Sequence, residues 1–239
     1  MATTTPGPAG TVDFGRCFTY VTEDPEWIKK VLIGGVFALL SAVLVGIPFV
    51  LGYFGRTLKN VAAGAPRPLP DWDDLGGLFG EGLRLAVVYL LHVLGALAAV
   101  AALGCLALTP AMLAGGLRAG DVHGPSEAIG ALSGLALVAV YGFGMLVSLA
   151  VALYLPSALA RAAVRDSIAE GFAWRENVAF IRANLGNYLL SLVIYLVAGV
   201  ASQFGALLCC VGLFPAAFWS YMVAAAALGG TIRLNPSSI

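Results

Sequence analysis

The sequence predicts an all-α protein, a polytopic integral membrane bundle of about five transmembrane helices with interfacial amphipathic helices beside them. Three observations carry this. No charged residue occurs between Lys30 and Arg56, Arg84 and Arg118, Glu127 and Arg161, or Arg182 and Arg233, intervals of 25, 33, 33 and 50 residues. About 20 apolar residues, each rising about 1.5 Å, suffice to cross a hydrocarbon core of about 30 Å. The 239-residue chain is 60% hydrophobic and 11% charged, against about 25% charged in soluble domains, which excludes a water-soluble globule. Finally, small residues recur every four positions inside the apolar intervals, as membrane helices need for close approach.

Residues 1–22 read as a flexible N-terminal tail. Met1 to Gly10 holds three Thr, two Pro and two Gly, too little apolar surface to order itself. No basic residue precedes Arg16 and no apolar core precedes Val31, so a cleavable signal is not expected. A single transmembrane domain follows over 23–232, with 233–239 as a C-terminal tail. Asp24, Pro25 and Glu26 suit a helix start, and Trp27, Lys29 and Lys30 suit the membrane interface. Val31 to Phe54 is read as one span kinked at Gly46, Ile47 and Pro48, with a re-entrant helix-break-helix as the alternative. Gly34, Ala38, Ala42 and Gly46 form its small-residue stripe.

Arg56 to Glu81 is the first polar loop, stiffened by Pro66, Pro68 and Pro70 and followed by Asp71, Trp72, Asp73 and Asp74. Leu83 to Leu113 is the second span. After a short loop bearing Arg118, Asp121, His123 and Glu127, Ile129 to Pro156 is the third, with Gly130 and Gly134 as a GxxxG pair. Arg161 to Asn187 reads as an interfacial amphipathic helix: Ser167 and Glu170 fit a capping box, Trp174, Val178, Ile181 and Leu185 share a stripe, and Gly186 ends it. The 42 residues from Tyr188 to Gly229 make two spans turning near Cys210 to Pro215. Ala198, Ser202, Ala206 and Cys210 face Ala216, Ser220 and Ala224 across this hairpin.

Five spans put the termini on opposite sides. Nine basic residues then share a side with both long loops and the C-terminus, against Arg16, Lys29, Lys30 and Arg118 on the other. The positive-inside rule places the nine in the cytoplasm of a cell-membrane protein. With a re-entrant first segment the count becomes twelve against one.

Charge sums to zero, with 13 basic and 13 acidic side chains, so no overall field recruits nucleic acid. The expected partners are the lipid bilayer and other membrane subunits or a second copy. Cys17, Cys105, Cys209 and Cys210 lack metal-ligand spacing. No catalytic, cofactor or metal motif is present in the sequence, so no enzyme and no cofactor is expected.

Five polar residues stand out. His92 lies about eight residues past Arg84 inside the second span, where an ionisable group suggests a proton relay or ligand contact; the alternative is a neutral imidazole bonded to a neighbouring helix. Gln203 suits a polar path or an interhelical hydrogen bond. Asp71, Asp73 and Asp74 could hold a cation through oxygen ligands, against capping and ion pairing with Arg67 and Arg84. The reading these support is a non-catalytic, partner-binding component of a membrane assembly. The second is a transporter or channel for a small or apolar solute or lipid, using His92 and Gln203.

Phe18 to Tyr20, Asp24, Trp27, Lys29, Lys30, Gly34, Gly35, Gly52, Tyr53, Arg56, Asn60 and the run from Pro68 to Asp74 form a pattern. It resembles a family of prokaryotic multi-pass integral membrane proteins classed as a domain of unknown function. The resemblance implies the membrane class and brings no activity or site residue.

Overall fold

The computed structural model describes residues 10–116, 126–207 and 211–239, with side chains at all of these except 108 and 110–133. The described residues are helical, without strands. The chain divides into two compact units, one running to Tyr89 and resuming at Pro156, the other Leu90–Leu155; the sequence had suggested one domain. Among the described residues four helices are long and apolar enough to cross a membrane, and a membrane location follows from them. The helical membrane bundle stands, with four such helices among the described residues where the sequence suggests about five.

The first unit opens with α1 (Phe14–Thr19), capped by the Asp13 carboxylate on the Arg16 N–H at 3.0 Å. The part of the expected N-terminal tail that is described is docked: Val12 N–H donates to Asn187 Oδ1 and Asn187 Nδ2 to the Gly10 carbonyl. The Tyr20 hydroxyl donates to the Met222 carbonyl at 2.6 Å.

α2 (Trp27–Leu40) and α3 (Ile47–Ala62) replace the expected first span. Between them a short 3-10 turn and Leu44, in the left-handed region at φ 68°, reverse the chain. Gly46 allows the reversal, because a Cβ there would overlap the Phe37 carbonyl. At 14 and 16 residues, neither helix reaches the length of a span. The Lys30 ammonium lies 2.8 Å from the Asp71 carboxylate. Val31 to Phe54 is therefore a hairpin that doubles back on itself, which corrects the single kinked span expected from sequence. The C-terminal residues also join the assembly of the two polar loops. Asn184 Nδ2 donates to Ser238 Oγ, Arg165 Nη2 to the Ile239 carbonyl, and the Arg233 guanidinium lies against Gly64. The C-terminal residues therefore lie with the loops.

α4 (Leu75–Gly116) begins in this unit and α5 (Ser126–Val164) ends in it. Around Pro156 in α5, the Ser157 N–H donates to the Tyr188 hydroxyl. The expected single amphipathic helix is broken into α6 (Ile168–Gly171) and α7 (Trp174–Ala183). Ser167 makes no capping bond, and Glu170 pairs with Arg161 instead. Trp174 and Leu185 are exposed, while Asn177, Phe180 and Asn184 point inward. The break falls at Asn184, two residues before Gly186.

α8 (Leu185–Ser202) and α9 (Leu213–Leu234) form the expected hairpin. Ala198, Ser202, Ser220 and Ala224 are buried, Ala206 is exposed, and Cys210 lies outside the described residues. α9 is the axis of the core, with α2, α3, α8 and α1 packed around it. Its run Ala224 to Ala227 keeps its surface thin, so several helices approach at once. Of the first small-residue stripe, Gly34 meets the Phe218 ring, whereas Ala42 is exposed in the turn.

In the second unit, among the described residues, a Cβ at Gly104 would meet Val140 at 3.9 Å, and one at Gly144 would meet Val100 at 3.5 Å. Gly134 has open space around it, and Gly130 lies among the side chains outside the description, so the GxxxG pair shows no helix contact among the described residues.

Candidate functional site

The polar residues of the first unit converge on the segment Pro68 to Asp74. Prolines at 66, 68 and 70 remove three backbone donors, so the segment presents carbonyls that need donors from elsewhere. Each is met by a side chain from the α2–α3 hairpin. Asn60 Nδ2 donates to the Pro68 carbonyl, Lys30 Nζ to the Leu69 carbonyl, and the Tyr53 hydroxyl to the Pro70 carbonyl, at 2.9, 3.2 and 2.8 Å. Trp72 completes the clamp, its indole N–H donating to the Lys30 carbonyl at 3.1 Å. Its ring stacks on Phe37 and Tyr53, with centroids 4.9 and 4.5 Å away.

Lys30 is the hub. It is 7% exposed and pairs with Asp24, 5% exposed, and with Asp71, each at 2.8 Å. Burial opposes both charges, but the mutual ion pair outweighs it. The Asp24 carboxyl is held below its ordinary range by Lys30 and the Glu26 N–H, and the Lys30 ammonium is held above its own by Asp24 and Asp71. Burial also pushes up the Tyr53 hydroxyl.

A second charged group ties α3 to α4 and α5. Arg56 pairs with Glu81 and Asp74, Lys59 with Glu81 and Asp166, and Arg84 with Asp166. Asp74 caps α4, its carboxylate accepting the Gly77 N–H at 2.9 Å. Arg56 and that N–H hold its carboxyl below the usual range.

The aspartates are thus divided. Asp71 serves the Lys30 hub and Asp74 caps and pairs, while Asp73 is exposed. The pairing partners are Lys30 and Arg56; Arg67 and Arg84, expected from sequence, do not take that role. Among the described residues no group of three His, Cys, Asp or Glu could hold a metal ion. Asp74→Ala is expected to speed protease cleavage before α4, Asp73→Ala to leave it unchanged, and a chelator to leave the melting temperature of the wild type unchanged. A chelator-induced drop would establish a bound cation.

His92 is half-buried in the second unit, its ring 5.4 Å from that of Tyr154. Gln203 is exposed in the 3-10 turn that ends α8, in the first unit. The two residues thus belong to different units. What sequence reasoning missed is the Lys30 hub. Its signal was available: a lysine opening an apolar run, six residues after an aspartate.

A cleft of about 440 Å³ lies between α1, the end of α3 and the end of α9. Asp13, Arg16, Glu23 and Arg233 line it, two charges of each sign, over a floor including Val12 and Val61. Cys17 also lines it, mostly buried, and burial foremost, with the Asp13 charge, pushes its thiol up to about 12.

Among known proteins, the family described as protein of unknown function (DUF4013) matches residues 35–211. No curated protein and no solved structure matches the chain.

Proposed function

The chain belongs to the DUF4013 family, a membership that supplies no activity, and from that premise we propose that it is a non-catalytic component of a multi-pass membrane assembly. One observation carries the reading: the charged side chains that converge in the first unit are spent on its own chain, in the Lys30 hub and the Arg56, Lys59 and Arg84 pairs. The apolar surfaces of α4, α5 and α8 stay exposed and are offered to lipid and to other subunits.

Purification from native membranes is expected to bring a stoichiometric membrane partner, and His92→Gln to leave that association intact. A transporter reading gives the opposite pattern. Proton-linked flux in liposomes that vanishes in a folded His92→Gln variant would replace the proposal.

The same reading puts both polar loops and both ends in the cytoplasm. With the first segment returning to its own side, twelve of the 13 basic residues fall there, leaving Arg118. Cysteines placed at Thr11 and Ala65 are both expected to be shielded from an impermeant thiol reagent in intact cells. Labelling of both would invert the orientation.

A further inference from the structure

We propose that the α8–α9 hairpin, although each helix is long enough to cross, enters one leaflet only, together with the α2–α3 hairpin, and that the partner of their shared apolar end is the acyl-chain layer of that leaflet.

The argument starts from the register of the helices. Gly34 of α2 meets Phe218 and Gly35 meets Pro215, so α2 runs antiparallel to α9. Its end and the following turn therefore lie level with the turn between α8 and α9. That shared end is apolar and open: Leu44 is 71% exposed and Leu207 80%, with Val43, Val45, Phe204 and Val211 exposed beside them. No charged residue occurs in 31–55 or 183–232, so neither turn carries charge, and Gln203 is the exposed polar side chain at the start of the second.

Water-exposed charge lies only a short way below. Trp72 packs 5.9 Å from the Phe218 ring, and beside it the Asp71 side chain is 65% exposed. Lys29 and Glu26 are exposed on the first turns of α2. From Phe218 to Gly212 is six residues, about 9 Å of helix, and from Lys29 to Leu40 about 16 Å, against about 30 Å for a full hydrocarbon core.

The backbone between α3 and α4 gives an independent constraint. Gly64 lies against Arg233 at one end of α9, and Trp72 lies against Phe218 toward the other. The intervening residues are non-helical, with Pro66 and Arg67 exposed. Irregular backbone of this kind does not face lipid. The Phe218-to-Arg233 stretch of α9 on that side is therefore flanked by water. α8 is apolar along its outer face, from Leu185 through Leu189, Val193, Leu196 and Val200 to Phe204. The hairpin thus lies aslant, with α8 toward the acyl chains and the proline segment toward water. α4 and α5, at 42 and 39 residues, are the crossing pair.

The test uses the full chain with its four native cysteines replaced by alanine and single cysteines at Leu44 or Leu207. Spin-labelled protein goes into 3:1 phosphatidylcholine and phosphatidylglycerol vesicles; a second portion of each variant is probed with impermeant maleimide in cells and in inverted vesicles. Both positions are expected to show high oxygen and low nickel-chelate accessibility, and no maleimide labelling from either side. Labelling of Leu207→Cys from one side with Ala65→Cys labelled only from the other would show that α8–α9 crosses and overturn the proposal. Labelling of Leu44→Cys and Leu207→Cys from the same side as Ala65→Cys would also overturn it, since the end would then stand in water. Ala65→Cys labelled from outside, with Leu44→Cys and Leu207→Cys still unreactive, would invert the orientation and leave the one-leaflet insertion standing.

Discussion

Lys30→Ala is expected to lower stability by about 3 kcal/mol, within the range for removing one partner of a buried pair. The variant leaves Asp24 buried without its ammonium, takes the donor from the Leu69 carbonyl, and frees Asp71. The Asp71 end opens to solvent, which is why the lower part of that range applies. The loss is to be read from thermal or denaturant unfolding in detergent, together with faster proteolysis between Ala65 and Asp74. Lys30→Met with Asp24→Leu should recover much of it, because an apolar pair of similar volume removes the stranded charge. An unchanged melting temperature in Lys30→Ala would show that the segment is held by Trp72 and Tyr53 alone. The same hub sets a pH window. Asp24 titrates lower in the fold than in the free chain, so its contribution is full above about pH 4 and lost as pH falls through the folded value. Lys30 titrates higher in the fold, so its contribution is full below about pH 10 and lost as pH rises through its folded value. The segment should be most protease-resistant between these limits.

Gly52→Ala and Gly82→Ala form the second large expectation, each costing about 3 kcal/mol, at the upper end of overpacking. A Cβ at Gly52 would overlap the Leu78 carbonyl, and one at Gly82 the Pro48 carbonyl. Both obstacles are backbone, so relief requires α3 and α4 to separate. Two neighbours serve as controls. At Gly55 the obstacle is the Leu85 Cδ1 atom, the end of a flexible side chain, and at Gly80 nothing lies within 4 Å. Gly80→Ala should raise stability by up to about 1 kcal/mol through helix propensity. Melting temperatures that fall equally in Gly52→Ala, Gly82→Ala and Gly80→Ala would show that the crossing is looser than it looks.

The helical class, the hairpin of α8 and α9 and the capping aspartate of α4 were legible, because each rests on local pattern: uncharged length, a glycine and proline between apolar runs, a carboxylate before a helix. The first segment was not, since hydropathy measures how much chain is apolar and not whether it returns. The break at Gly46 and Pro48 was visible, but choosing between kink and reversal needed the Lys30 contact with Asp71, 41 positions away. The same limit applies to the ion pairs. Sequence proximity favoured Arg67 and Arg84 for the aspartates, whereas tertiary folding brings Lys30 and Arg56. In α7, the expected stripe runs past the helix end at Ala183, and the neighbouring edge with Asn177 and Phe180 is what packs inward. Of the candidate residues, only Asp71 and Asp74 meet a shared structural element.

Cys17 gives the chain a built-in clock. A thiol pushed up to about 12 and buried carries almost no thiolate at neutral pH, so a thiol reagent modifies it slowly in the closed fold and faster whenever α1 is lifted from α9. The modification rate, measured against that of a free cysteine, then reports how often the N-terminal segment opens. A Tyr20→Phe variant, which removes the hydrogen bond to the Met222 carbonyl, should make the clock run faster without moving the melting temperature of the rest. Local opening and global unfolding become separately countable events in the unlabelled protein.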